Sequence, residues 1–239
     1  MFVHFIWLGS IPKAELIAKI AAKMRYLKAM FINRSNLTFY LWTTSDLKNP
    51  LLGRFASQEQ LTEGGRLNLT IKNINELFGR SAFPYFSREE MFQLQNLFIK
   101  ESSRSSTRAI GVDMLKFLIL FHFGGFYMDA GLEIESGDMS AEAIRNSGVA
   151  LLKRLELYSY GLSYIKNRVS YPFDLQIMYS KVNPEAQAFF AKVMTDIVSE
   201  YENDFRYDSK YNKARANIFI EGKPNVYTGR VFGPLADAK

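Results

Sequence analysis

The chain's 239 residues are 48% hydrophobic and include 20 Phe and 13 Tyr, which excludes a disordered segment and supplies the core of one α/β domain. Lys and Arg number 30 against 24 Asp and Glu, and the net charge of +6 favours an anionic partner such as a nucleotide diphosphate or, peripherally, an acidic membrane surface. The basic residues are spread along the chain without a run of five, which speaks against a nucleic-acid-binding domain.

Phe2 to Leu8 is rich in aromatic and β-branched residues and is closed by Gly9-Ser10-Ile11-Pro12, the pattern of a buried strand ending in a turn. Lys13 to Phe31 carries Leu16, Ile17, Ile20, Met24 and Leu27 at helical spacing. Leu37 to Thr43 is the next predicted strand, with Thr44-Ser45-Asp46 as a polar loop at its carboxyl end. Leu67 to Ile74 is a third strand, preceded by Gly64-Gly65; no Lys-Ser/Thr follows those glycines, so they form no P-loop. Strands alternating with helices predict a doubly wound sheet, whose ligands bind at the carboxyl ends of the strands. That places Trp7 to Ser10 and Thr43 to Asp46 around one cleft.

Residues 82 to 106 read as a helical excursion ending in a Ser-rich loop, Ser102 to Thr107. Arg108 to Phe123 is the best-defined helix, with Ile110, Met114, Phe117, Leu118 and Phe121 along one stripe and Leu115, Ile119 and Leu120 widening it. Gly124-Gly125 ends the helix, and Phe126 to Met128 forms a short strand that delivers Asp129. Gly148 to Leu152 and Gln176 to Ser180 are further strands. Pro184 to Tyr201 is an amphipathic helix, and residues 202 to 216 are polar and tyrosine-rich. No internal repeat or linker composition divides the chain, so residues 1–239 read as a single domain. The longest apolar stretch, Phe117 to Phe123, is far shorter than a membrane span, and the N-terminus lacks the basic start of a signal peptide. The expected location is cytoplasmic.

With no Cys and only His4 and His122, a metal would rest on carboxylates, which suits Mn or Mg. His4 reads as a hydrogen-bonded core residue, Trp42 as core, and His122 as a residue near a helix end, where a cation is favoured. Asp113 and Lys116, at i and i+3 of an apolar helix, share one face. They form either an intrahelical ion pair at the helix rim or part of a cleft holding a polar ligand, since buried charges need partners. Asp129, delivered by the next strand, adds a second acid to the region they face. Two carboxylates and an ammonium suit a phosphorylated sugar: the acids accept from hydroxyls and the ammonium neutralises phosphate.

Asp113-Met-Leu-Lys116 followed by Gly124-Gly-Phe-Tyr-Met-Asp129 resembles the glycosyltransferases that carry the DXD sugar-binding motif, and His4-Phe-Ile-Trp-Leu-Gly-Ser-Ile-Pro12 resembles their opening strand. That family includes the large clostridial glucosylating toxins, related bacterial effectors, and enzymes of capsule and mannan synthesis. The resemblance spans residues 2 to 135, with fainter echoes at Asp174 to Lys181 and Thr228 to Pro234. It implies a glycosyltransferase A-type, Rossmann-like mixed sheet flanked by helices. It further implies a donor site of Trp7, Leu8, Asp113, Lys116, Tyr127 and Asp129, with Trp7 lining the nucleobase pocket and Asp129 and Lys116 taking part in catalysis.

Three positions depart from the family pattern. Val112 replaces Ser, Lys116 replaces Arg, and Gly131 replaces the second aspartate of the motif, normally the direct metal ligand. A divalent cation, Mn or Mg, is then expected at Asp129 with Glu133, or Glu135, in compensation. The late C-terminal loop that closes over the diphosphate in the family has no clear counterpart, the pattern of a truncated or minimal domain. Two functions follow: transfer of a sugar from a nucleotide-sugar, UDP-sugar favoured, to a protein or glycan acceptor with retention, or binding of that donor by a module without turnover. A toxin-like bacterial effector would act in a host cytosol.

Overall fold

The computed structural model of the protein describes residues 1–30, 37–59, 68–103, 108–131, 149–152, 157–159, 164–166, 169–171 and 177–203. Its first half alternates strand and helix: β1 (Phe2–Ile6), α1 (Ala14–Met30), β2 (Thr38–Thr43), α2 (Ser45–Glu59), β3 (Leu69–Asn73) and α3 (Asn75–Phe78). Two longer helices, α4 (Arg88–Ser102) and α5 (Arg108–Phe123), then lead into β4 (Gly125–Met128). Short strands β5 (Val149–Leu152), β6 (Leu157–Ser159), β7 (Tyr164–Lys166), β8 (Val169–Tyr171) and β9 (Ile177–Ser180) precede α6 (Pro184–Asn203).

Among the described residues, seven strands form one sheet in the order β3-β2-β1-β4-β9-β6-β5, and β7 and β8 pair separately. β3, β2, β1 and β4 run parallel; β9, β6 and β5 continue the sheet in antiparallel pairs. This is the expected mixed sheet flanked by helices. The winding leaves β1 towards β2 and β3 and then returns to β4 on its other side, so the reversal falls between β1 and β4.

Alternation along β1 sorts the two layers. Val3 and Phe5 face the layer of α1 and α2, joining Ile17, Ile20, Met24, Leu47 and Leu51 in one buried cluster. Ile6 faces the opposite layer, where Trp42, Leu115, Ile119, Phe190 and Met194 form the second cluster under α4, α5 and α6. His4 lies on that second side: Trp42 Nε1 donates to its Nδ1 at 3.2 Å, and its Nε2 donates to the Gly124 carbonyl at 2.9 Å. Burial drives its pKa down to about 3, so it is the neutral, hydrogen-bonded core histidine expected.

Several elements differ from the sequence expectation. Thr44-Ser45-Asp46 is not a polar loop, because Ser45 and Asp46 open α2. Asn49-Pro50 and Gly53 read locally as breakers, yet Leu47, Leu51 and Phe55 recur at i, i+4 and i+8 and are buried, so packing overrides propensity. The excursion at 82–106 is more sharply bounded: Ser87 and Glu90 close a reciprocal capping box that starts α4 at Arg88. β1 stops at Ile6, leaving Trp7 and Leu8 beyond it. The last helix continues to Asn203, past the expected end at Tyr201. His122 is not a cation: burial lowers its pKa to about 4, and the nearby Arg80 charge pushes in the same direction. Glu133, Glu135, most of the Ser102–Thr107 loop, residues 204–216 and the echo at Thr228 to Pro234 lie outside the described residues.

Candidate functional site

α5 is apolar enough to be buried nearly all round, and its buried flanks place it directly on the sheet. The Gly124 amide bonds the Leu120 carbonyl at 2.9 Å and ends the helix. Gly124 and Gly125 then take φ of 56° and 84°, which turns the chain back along the helix into β4. A Cβ on Gly125 would lie 2.4 Å from the Phe2 carbonyl oxygen, so this close approach to β1 requires glycine. From Lys116 to Gly124 the helix travels about 12 Å, and from Gly125 to Asp129 the strand travels back about 13 Å. The spacing of the motif is what brings Asp129 level with Lys116.

The side chains meet accordingly. Lys116 Nζ lies 2.8 Å from Asp113 Oδ1 and 3.3 Å from Asp129 Oδ1. The Tyr127 hydroxyl donates to the same Asp129 Oδ1 at 2.5 Å, and Lys116 Nζ sits 4.9 Å from the centroid of the Tyr127 ring. The Lys116 side chain is 6% exposed, against 19% for Asp113 and 34% for Asp129. The ammonium is therefore held inside, with the two acids opening towards water.

Burial disfavours the Lys116 ammonium, but the two adjacent carboxylates outweigh it and raise its pKa above the ordinary lysine value. Asp113 is raised by burial, with Lys116 opposing and the charge on Asp129 reinforcing. Burial and then the Asp129 charge push the Tyr127 phenol well above its ordinary range. Two carboxyl groups thus share one internal ammonium.

Trp7 stands at the same edge of the sheet. Its amide bonds the Trp42 carbonyl at 2.9 Å, its carbonyl accepts from the Thr43 hydroxyl at 2.8 Å, and its indole N–H donates to the Ser10 carbonyl at 2.9 Å. Its ring, half-buried, packs against the α1/α2 layer, whereas Leu8 packs in the α5 layer with Tyr127. The structure thus brings Asp113, Lys116, Tyr127 and Asp129 together and sets Leu8 on their side of the sheet, with Trp7 turned to the other side. Extending the β1–β4 register (His4 opposite Tyr127) brings Ile6 level with Asp129 and Trp7 level with Ala130.

The described residues do not fit a divalent ion. Among them no group of three or more His, Asp and Glu is gathered, Asp129 Oδ1 already receives a phenol and an ammonium, and Gly131 offers no side-chain oxygen.

Two contributors carry no motif in the sequence. Thr43, fully buried at the end of β2, holds the Trp7 carbonyl. Lys23, on α1, donates to the carbonyls of Asp129 and Ala130. The one available signal for Lys23 is its place on the flank of the Leu16–Ile20–Leu27 apolar stripe.

No family model matches the chain, and no curated protein matches it either. Solved structures similar to it include the ligand-free and the UDP-bound glycosyltransferase domain from the YGT toxin. Each is 11% identical with a TM-score of 0.47, and each match covers 99% of this chain and 70% of the other. Among the described residues, no helix is long and apolar enough to cross a membrane.

Proposed function

We propose that this chain is a glycosyltransferase domain that takes a nucleotide-sugar, UDP-sugar favoured, and transfers the sugar with retention to a protein or glycan acceptor. The carrying observation is the meeting of Asp113, Lys116 and Asp129 beside Tyr127 at the carboxyl ends of parallel strands, at the winding reversal where sheets of this kind bind their ligands. A buried ion cluster is poor value for stability alone, since apolar side chains of similar volume serve as well or better. Ligand recognition accounts for its presence, and the motif resemblance at residues 113–129 supports the same reading.

In this reading each acid keeps an oxygen for the donor. Asp113 and Asp129 accept from hydroxyls of the ribose and the transferred sugar, while Lys116 pairs with both carboxylates and places a positive charge beside the leaving diphosphate. Retention needs no side-chain nucleophile: a donor phosphate oxygen takes the acceptor's proton as the acceptor attacks the face the diphosphate leaves. No step is routed through a metal. Gly131, in place of a direct metal ligand, favours a second reading, in which the domain binds the donor without turning it over. Hydrolysis of UDP- and GDP-sugars by the wild type and by Asp129→Ala, with and without manganese, separates the two. Turnover abolished by Asp129→Ala establishes the transferase; nucleotide binding without turnover in any metal establishes the binding module.

A further inference from the structure

Lys23 belongs to α1, across the sheet from α5, and is 3% exposed. Its stem passes Phe5, with Nζ 5.9 Å from the ring centroid, and the ammonium donates to the Asp129 carbonyl at 3.0 Å and the Ala130 carbonyl at 2.6 Å. Successive carbonyls of an extended strand point to opposite sides. Two of them meeting one ammonium means that the chain has left the strand at Asp129, and a turn does begin at Ala130. The bonds fix the peptide planes on both sides of Ala130, and with them the backbone from which the Asp129 side chain projects. Apolar neighbours surround this point, since Phe5, Met24, Met128 and Ala130 share the layer. A lysine placed there for packing alone would pay desolvation that a methionine would not.

We propose that Lys23 is a positioning residue for the nucleotide-sugar site: from beneath the sheet it clamps the Asp129–Ala130 turn and so keeps the Asp129 carboxylate against Tyr127 and Lys116. The proposal rests on the nucleotide-sugar reading for its ligand but not for its geometry. The local work belongs to donated hydrogen bonds, so arginine substitutes for it and methionine does not.

The test uses Lys23→Met, Lys23→Arg and Lys23→Gln in the full chain, with UDP as the probe. Calorimetry gives the affinity, thermal melting gives global stability, and amide hydrogen exchange reads residues 128–131 against β2 and α5. Lys23→Met is expected to bind UDP at least tenfold more weakly, with exchange at 128–131 accelerated at least tenfold and β2 and α5 little changed. Lys23→Arg is expected to restore both to within threefold of wild type, with Lys23→Gln between. Unchanged UDP affinity and unchanged local exchange in Lys23→Met overturn the proposal, as does acceleration spread evenly over the chain with no rescue by arginine. Should Lys23→Met fail to fold, the Lys23→Gln and Lys23→Arg pair decides: equal local exchange in the two overturns it. A wild type that binds no nucleotide sinks the functional reading separately, and the exchange data then still judge the clamp.

Discussion

Tyr127, on the central strand β4, and Asp129, just past its end, lie on the same side of the sheet, and the phenol donates to the carboxylate at 2.5 Å. The alternation of β4 puts Tyr127 on this face, and the Asp129–Ala130 turn brings the carboxylate to it. The fully buried ring of Tyr127 is the wall against which both Asp129 and Lys116 are held.

Tyr127→Phe removes the donor and keeps the wall. A hydrogen bond to a charged acceptor contributes about 1.5–3 kcal/mol, and water reaching Asp129 reduces that to about 1 kcal/mol of stability. UDP affinity is expected to fall about tenfold, equivalent to about 1.4 kcal/mol. Calorimetry and thermal melting check both; an unchanged affinity would remove Tyr127 from the site.

The alkaline limb of stability should report the cluster. Lys116 and Tyr127 both have folded-state pKa values raised above 10.5 and 10.0. For each, the folded state holds its proton more tightly than the unfolded state. The associated stability is present below the unfolded values and is lost as pH rises through the folded ones. Melting temperature is expected to drop steeply above about pH 10, and less steeply in Tyr127→Phe, where only Lys116 still contributes. Parallel curves for the two proteins would show that Tyr127 does not titrate with the fold.

Gly131→Asp tests the position at which the proposed DXD motif would carry its second aspartate. A Cβ there meets nothing within 4 Å among the described residues. The variant should fold as wild type and gain a manganese-dependent increase in UDP affinity of about tenfold, or about 1.4 kcal/mol, while wild type changes by less. Manganese titration with and without UDP reads the difference. Equal manganese dependence in both proteins would mean that the wild type already supplies the ligand.

Gly125→Ala should be severe, and Gly131→Ala its control. The first places a methyl group 2.4 Å from the Phe2 carbonyl oxygen at a φ of 84°, and is expected to cost about 3 kcal/mol or more. The second meets nothing within 4 Å among the described residues and should stay within about 0.5 kcal/mol. Denaturant unfolding compares them; similar midpoints would contradict the close β1–β4 approach.

The central part of the fold was legible because its signals are local and agree with one another. Arg108 to Phe123 is periodic throughout and stopped by paired glycines, so its bounds are legible, and the short connection to Asp129 puts that residue in the region Asp113 and Lys116 face. α2 was hidden by Asn49, Pro50 and Gly53, whose local preferences lose to the burial of Leu47, Leu51 and Phe55. The three-residue strands β6, β7 and β8 are too short to carry a period. Trp7 and Leu8, both expected at the donor site, pack past the end of β1 in the α1/α2 and α5 layers respectively, a division that their sequence spacing alone does not announce. Lys23 was invisible for a different reason: a lysine on the flank of an apolar stripe ordinarily reaches water, and its bond to a turn more than a hundred residues away leaves no trace in spacing.

The hydrogen-bonded pairing of His4 with Gly124 and Trp42 has an electrical consequence. His4 lies opposite Tyr127 in register and stays uncharged at neutral pH, as do Trp42 and Ile6 on the same side. These side chains form an uncharged floor under the acids, so that compensation of Asp113 and Asp129 falls to Lys116 rather than to the sheet beneath. What Lys116 leaves uncancelled reaches solvent through the more exposed Asp129, so that an approaching molecule meets that field before it meets either side chain.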